Sequence, residues 1–388
     1  MKIKSTPQDF QVEERISLPI ASRGAYAVYR LWKRGITTLE ALQRLSRACR
    51  VPESEIRYGG KKDRQGETVQ FVTVPSHRNL SYREGDLCSS LEGYAEEPMG
   101  PLWITENAFQ LVLREIPSAG EAHAICEKAH EISRRGMPNY YDDQRFGAQG
   151  NTREFFAEKL LQGNPSEALK LYFTEIHPQA PQRVRRRSVF ISRHWGDWRK
   201  IYPFCKKGLP LKVLSMLRQD DSPSGFWKGV NTLSGELLGI YISSFQSFLW
   251  NRLLGNYLFQ GWQEEDLLCV SCALWSFPVG VSKKASFFLP EPCEIPSHAA
   301  ETPPMEPNLY KLWIGVLKER SLSPEMFALP ELQRAYFGSF QRPSLVFPRK
   351  MQAFVEPEES GKFQRVSLSF TLPRGSYATL LVKSIRIL

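Results

Sequence analysis

The sequence contains no apolar run of about 18 residues, so no membrane-spanning helix is expected. Its opening fourteen residues lack the apolar core of a secretory signal. Both absences predict a cytoplasmic protein. No Gly-x-Gly-x-x-Gly follows a strand-like segment, no Lys-Ser/Thr pair follows Gly60 or Gly66, and no Gly-x-Ser-x-Gly elbow occurs. Dinucleotide, P-loop and serine-hydrolase chemistry therefore lack their usual supports. Histidine is scarce, at six residues, and none falls in an HExxH or HxxxH grouping. The seven cysteines are odd in number and scattered, which fits free thiols in a reducing compartment rather than a disulfide framework. Cys269 and Cys272 have CxxC spacing, but no second pair completes a zinc site. Neither a metal nor a cofactor is expected.

What the chain has in excess is positive charge and aromatic surface. Lysine and arginine exceed aspartate and glutamate by 51 to 41, a net charge of +10. A balance of that sign points to a polyanionic partner, nucleic acid above all. Hydrophobic residues make up 42% and aromatics 12%, enough for a sizeable core. A length of 388 residues suits two domains at roughly 100–200 residues each.

The pattern along the chain alternates strands and helices without an internal repeat. Residues 10–16, 25–32, 68–74 and 107–116 read as strands, the last by alternation of Phe109, Leu111 and Leu113 with polar neighbours. Thr37 to Glu40 is a capping box that opens a helix, with Leu39, Leu42, Leu45 and Ala48 as its buried stripe. A second helix spans 120–135 and stops at Gly136. After about residue 160 the text becomes rich in proline and arginine. Ser234 caps a long amphipathic helix with Leu238, Ile242, Phe245 and Leu249 on one face, and 285–308 reads as loop. Near the end Val366, Leu368, Phe370 and Leu372 alternate, and a turn at 373–375 leads into another apolar segment. The end resembles the beginning more than the middle. The reading is an α+β protein with a central, mostly antiparallel sheet, split in sequence by an insertion. The domains expected are 1–160 and 343–388 for the catalytic part and 161–342 for the inserted α/β domain.

Three stretches carry chemistry. In Tyr58-Gly59-Gly60-Lys61-Lys62-Asp63-Arg64-Gln65-Gly66 an aspartate sits between cations that favour its ionised form. The glycines permit tight turns and close approach of a ligand. In the stretch 136–147, Asn139, Tyr140, Tyr141 and Arg145 combine an amide, aromatics and a cation. Aromatics stack on unstacked bases and amides read base edges. In 372–379 a turn can present Tyr377. Taken one by one, a surface ion pair, which is the better explanation of the first stretch by itself, a packed connection and a core tyrosine would also explain them.

Together with the opening Lys4-Ser5-Thr6-Pro7-Gln8-Asp9-Phe10-Gln11-Val12-Glu13-Glu14, these stretches resemble the TruD family of pseudouridine synthases, in the family's order. Weaker echoes lie at Asn107-Ala108-Phe109 and at 244–251, so the likeness spans the chain. The resemblance implies the pseudouridine synthase fold and a tRNA substrate, with uridine 13 of the D-arm as target. It implies a monomer working without metal or cofactor. Asp63 falls on the catalytic aspartate and Lys4 on a lysine that pairs with it. Phe10, Glu14, Asn139, Tyr141 and Tyr377 fall on positions around the uridine. Tyr141 and Tyr377 stand where the family usually has phenylalanine, which keeps the aromatic face and adds a hydroxyl. Lys62, Arg64, Arg145 and the run Arg185, Arg186 and Arg187 are expected to contact RNA phosphates. Asp63 would act as nucleophile at the sugar or as the base of an elimination, and both routes stay open. A non-catalytic RNA-binding protein or RNA chaperone on the same fold is the alternative.

Overall fold

The computed structural model describes residues 1–62, 64–149, 153–176, 180–204, 209–273, 275–282, 289–358 and 361–387. It divides into two compact units. The first comprises Met1–Met137 and Val346–Arg386, and the second Pro138–Leu345. Composition changes only near residue 160, but packing changes earlier. Phe155 and Phe156 are buried against Phe245 and Tyr241 of the second unit.

The first unit is built on one mixed sheet. Its strands are β1 (Phe10–Ile16), β2 (Tyr26–Arg34), β3 (Arg57–Tyr58), β4 (Glu67–Pro75), β5 (Tyr82–Glu84), β6 (Leu87–Ala95), β7 (Ile104–Ile116), β8 (Arg349–Pro357) and β9 (Gln364–Pro373). The order across the sheet is β8-β9-β7-β1-β4-β2-β6-β5, with β3 on β4. Only β1 and β4 run parallel among these pairings. The expected α+β class and mostly antiparallel sheet are what is found. β9, from the far end of the sequence, pairs with β7, so the sheet joins strands from before and after the insertion in sequence.

Side chains two apart on a strand share a face. Phe109, Leu111 and Leu113 on β7 and Val366, Leu368, Phe370 and Leu372 on β9 are all buried on one face. There they meet helix α2 (Ala119–Arg135) and the C-terminal helix (Ala378–Ile387) in one apolar cluster. Leu31, Val72 and Val74 meet helix α1 (Thr38–Cys49) in another. The capping box of α1 is formed: Glu40 N–H donates to Thr37 Oγ1, and Thr37 N–H to Glu40 Oε2. Its buried stripe is Thr38, Ala41, Leu42 and Leu45, whereas Leu39 and Ala48 are exposed. The expected stripe is thus rotated, because the Thr38 hydroxyl finds Gln70 Oε1 at 2.9 Å and a polar residue can take an inward position.

In the second unit Ser234 caps a helix of 24 residues, Gly235–Leu258, by accepting from Leu237 N–H. That helix is buried round most of its girth rather than on one face. Besides its apolar residues it buries Ser244, Gln246, Ser247 and Asn251. Gln246 donates to the carbonyls of His298 and Gly338, so the polar side chains are accommodated by partners. The stretch read as loop at 285–308 contains a short strand, Glu294–Pro296, paired with Gln341–Pro343. The arginine-rich stretch forms a helix, Gln182–Arg193.

Candidate active site

Between the cluster on α2 and the cluster on α1 lies a polar strip on the same face of the sheet. It consists of Glu14 (β1), Thr68 and Gln70 (β4) and Asn107 (β7), all buried. The sheet register sets Asn107 opposite Glu14 on one side and opposite Leu372 on the other. The turn that carries Tyr377 therefore leaves the sheet beside Asn107. Tyr377 is half-buried, immediately before the C-terminal helix.

The loop from Gly59 to Gly66 comes down onto this strip. Lys62 Nζ lies 3.0 Å from Glu14 Oε1 and donates to Asn107 Oδ1 at 2.6 Å. Glu14 also accepts from Phe71 N–H through Oε2 at 3.1 Å. The glycines of the loop serve close packing of the protein on itself. A Cβ on Gly66 would stand 2.5 Å from the Phe10 carbonyl oxygen, and one on Gly59 would stand 2.5 Å from the Ile104 side chain. Asp63 itself lies outside the described residues; its chain neighbours Lys62 and Arg64 do not.

The N-terminal segment is fastened over β7. Lys2 and Arg114 exchange backbone hydrogen bonds. Asp9 is 2% exposed and takes three hydrogen bonds from the Arg114 guanidinium at 2.7–3.0 Å. Burial raises the Asp9 carboxyl, but Arg114 and the Thr6 amide outweigh it and hold it below the ordinary carboxylate range. This clasp positions Lys4, whose backbone is left-handed at φ 55° and whose ammonium lies 4.0 Å over the Phe10 ring. Phe10 is buried edge-on to Phe109, which stacks on Phe370. Lys4, Phe10, Glu14, Lys62 and the root of the Tyr377 turn are thus brought to one face. A groove of about 740 Å³ lies on the same unit, lined by Gln11, Glu13, Arg30 and Trp32 among others. It contains none of the expected site residues, and Glu13 pairs there with Arg30.

The residues of the second motif belong to the second unit. Asn139 is 4% exposed; its Nδ2 donates to Pro343 O and its Oδ1 accepts from Arg342. Tyr141 exchanges backbone hydrogen bonds with the Asn251 amide, and the Arg342 guanidinium lies 4.2 Å over its ring. Arg145 donates to Ser247 Oγ and lies over Tyr141 from 5.3 Å. Arg64 is exposed and donates to Gly35 O. On the basic helix Arg186 and Arg187 are exposed, while Arg185 is half-buried and donates to Ala180 O. Lys62, expected to meet phosphates, is instead turned inward, with 13% of its side chain exposed.

Among the described residues one group, Asp142, Asp143 and Cys272, brings possible metal-ligand atoms within 4.8 Å of one another. Its atoms already serve the fold: Cys272 Sγ donates to Asp142 Oδ1, and Asp143 Oδ1 accepts from Ala273 N–H. Sequence reasoning missed Arg114, Thr38, Gln70 and Arg342 as supports of the site. Thr38 lies in the capping box and Gln70 in the strand that follows the Asp63 stretch, but neither position says what its side chain meets.

Residues 1–274 match the family model described as tRNA pseudouridine synthase D (TruD). The chain belongs to the TruD family. A Methanococcus maripaludis protein named "Probable tRNA pseudouridine synthase D 1" is 29% identical over 395 residues, covering 99% of each chain. A Leptospira interrogans tRNA pseudouridine synthase D is 27% identical over 404 residues, covering 99% of this chain and 96% of its own. The crystal structure of a candidate TruD protein from Methanosarcina mazei shares the fold. It has a TM-score of 0.72 at 22% identity and covers 99% of this chain and 93% of the other. Among the described residues no helix is long and apolar enough to cross a membrane.

Proposed function

We propose that this TruD-family protein isomerises a uridine of tRNA, position 13 of the D-arm, to pseudouridine with Asp63 as the reacting carboxylate. The observation that carries the reading is that Glu14 and Asn107 meet the chain just before Asp63, at Lys62, and Phe10 meets it just after, at Gly66, with Lys4 over the Phe10 ring. The relatives' shared name supports the reaction class.

The reaction breaks the N1–C1′ bond, turns the detached uracil and joins C5 to C1′. No atom or electron is gained or lost, so the balance calls for neither a redox partner nor a metal. The target base must leave its stack to be reached. Lys4, on the clasped N-terminal segment, would hold the Asp63 carboxylate ionised, and Phe10 with Tyr377 would enclose the free uracil. Asn139, its amide orientation fixed by Arg342, and Tyr141 are read as further contacts to the nucleotide. The first unit is read as the catalytic domain and the second as its insertion, which moves the edges from 160/161 and 342/343 to 137/138 and 345/346. The protein is read as a cytoplasmic monomer.

The test is nucleotide-resolution mapping of pseudouridine in an unmodified tRNA transcript, with Asp63→Asn beside the wild type. Product at uridine 13 alone, absent with Asp63→Asn while RNA binding persists, is the expected result. Tight binding with no product from the wild type would favour the non-catalytic RNA-binding reading instead.

A further inference from the structure

We infer that Lys62 is a positioning residue for Asp63, acting through buried contacts with Glu14 and Asn107 rather than through contact with RNA. The inference rests on the reading of Asp63 just given. A lysine that serves phosphates keeps its ammonium in water while its stem lies along the protein. Lys62 does the reverse. Its ammonium has exchanged hydration for a carboxylate that is 0% exposed and for a side-chain amide. Burying two charges is costly, and the loss is offset only when geometry is good and the remaining lone pairs are used. Glu14 meets that condition in part: Oε2 accepts from the Phe71 amide, while Oε1 faces Lys62 Nζ at 3.0 Å as an ion pair without hydrogen-bond geometry.

The backbone of Lys62 is held as firmly. Its N–H donates to Thr38 Oγ1 at 2.8 Å, Thr38 donates to Gln70 Oε1 at 2.9 Å, and Gln70 Nε2 donates back to the Gly60 carbonyl at 3.3 Å. Four separate elements, β1, β4, β7 and the first turn of α1, thus fix one residue by side chain and main chain together. The next residue in the chain is Asp63. Consecutive Cα atoms are about 3.8 Å apart, so whatever follows Lys62 in the chain starts from a point that these bonds hold. The consequence is kinetic, because displacing a reacting group by about 1 Å can cost on the order of 10²-fold in rate.

The test compares Lys62→Met, the double variant Lys62→Met/Glu14→Gln, Asp63→Asn and wild type. It measures single-turnover conversion of a tRNA transcript at saturating protein, tRNA affinity across a salt series, and thermal midpoint. Lys62→Met is expected to slow conversion by roughly 10²-fold while Kd stays within about threefold and the salt slope is unchanged. Because that variant strands the Glu14 carboxylate, it is also expected to melt earlier. The double variant removes both charges; it should recover the midpoint and remain slow by at least about 30-fold. Wild-type conversion with weaker binding and a salt slope shallower by about one would make Lys62 a phosphate ligand and overturn the inference. A double variant restored in both midpoint and rate would show mere support of the fold, and would overturn it too. Turnover by Asp63→Asn would instead sink the reading of Asp63. An inactive Asp63→Asn beside wild-type rates for both Lys62 variants would sink this inference alone.

Discussion

Buried ionisable side chains in this protein are handled in two ways. Asp9, Glu14 and Glu158 are each set against a cation, Arg114, Lys62 and Arg320, within 3.0 Å. His298 has no such partner among the described residues. It is fully buried, stacked on Trp313 at 4.5 Å, and donates from Nε2 to the Trp313 carbonyl. Burial pushes it down to about 3, against the smaller upward pull of that carbonyl. The folded chain therefore keeps the ring neutral, while the unfolded chain takes up a proton below about pH 6.5. Since the folded value is the lower one, stability is retained above pH 6.5. It is lost as pH falls, at up to about 1.4 kcal/mol per unit. Between pH 6.5 and 5, urea unfolding of the wild type should lose about 1–2 kcal/mol more than that of His298→Phe. The variant starts lower at pH 8, because it leaves the Trp313 carbonyl without its donor. Parallel curves would mean that the folded protein protonates His298.

At the scale of elements, α1 shows what local sequence controls and what it does not. Its start is written in Thr37 and Glu40, and Thr37→Ala should lower stability by about 1 kcal/mol, read as a shift in denaturation midpoint. Its inward face is not written there: a helical period admits neighbouring stripes, and the one chosen depends on Gln70, a strand away. Strands were more legible, because a period of two leaves only two faces to choose between. Val366, Leu368, Phe370 and Leu372 were readable as one buried row and are one. The long helix was legible in its cap and length but not in its burial, because Gln246 and Asn251 find partners at separations of 52 and 110 residues. The site divides in the same way. Its motif words could be read in order along the chain. The bonds that support them could not, since Lys62 meets Asn107 across 45 residues and Asp9 meets Arg114 across 105. Lys62 shows why: the sequence sets it beside glycines and cations, and only the buried acceptors reveal its inward turn.

At the scale of the whole molecule, a net charge of +10 gives tRNA a favourable long-range field but does not say where phosphates land. The helix Gln182–Arg193 offers a definite location. It buries Ser188 and Ile191, which leaves Arg186 and Arg187 on its outer side. Arg185, adjacent in sequence, is partly committed to the Ala180 carbonyl, so the three arginines are not equivalent. Each phosphate neutralised on binding releases counterions and steepens the dependence of affinity on salt. If the outer pair meets the tRNA backbone, Arg186→Ala/Arg187→Ala should weaken binding at moderate salt. It should also make the slope of log K against log salt shallower by about one for each arginine removed, about two in all. Arg185→Ala should do less to the slope, because its guanidinium has an internal acceptor. An unchanged slope in the double variant, measured by binding across a salt series, would make this helix a solvated face. It would assign the electrostatic grip to other cations, for which the exposed Arg64 in the loop that follows Asp63 is the next to test.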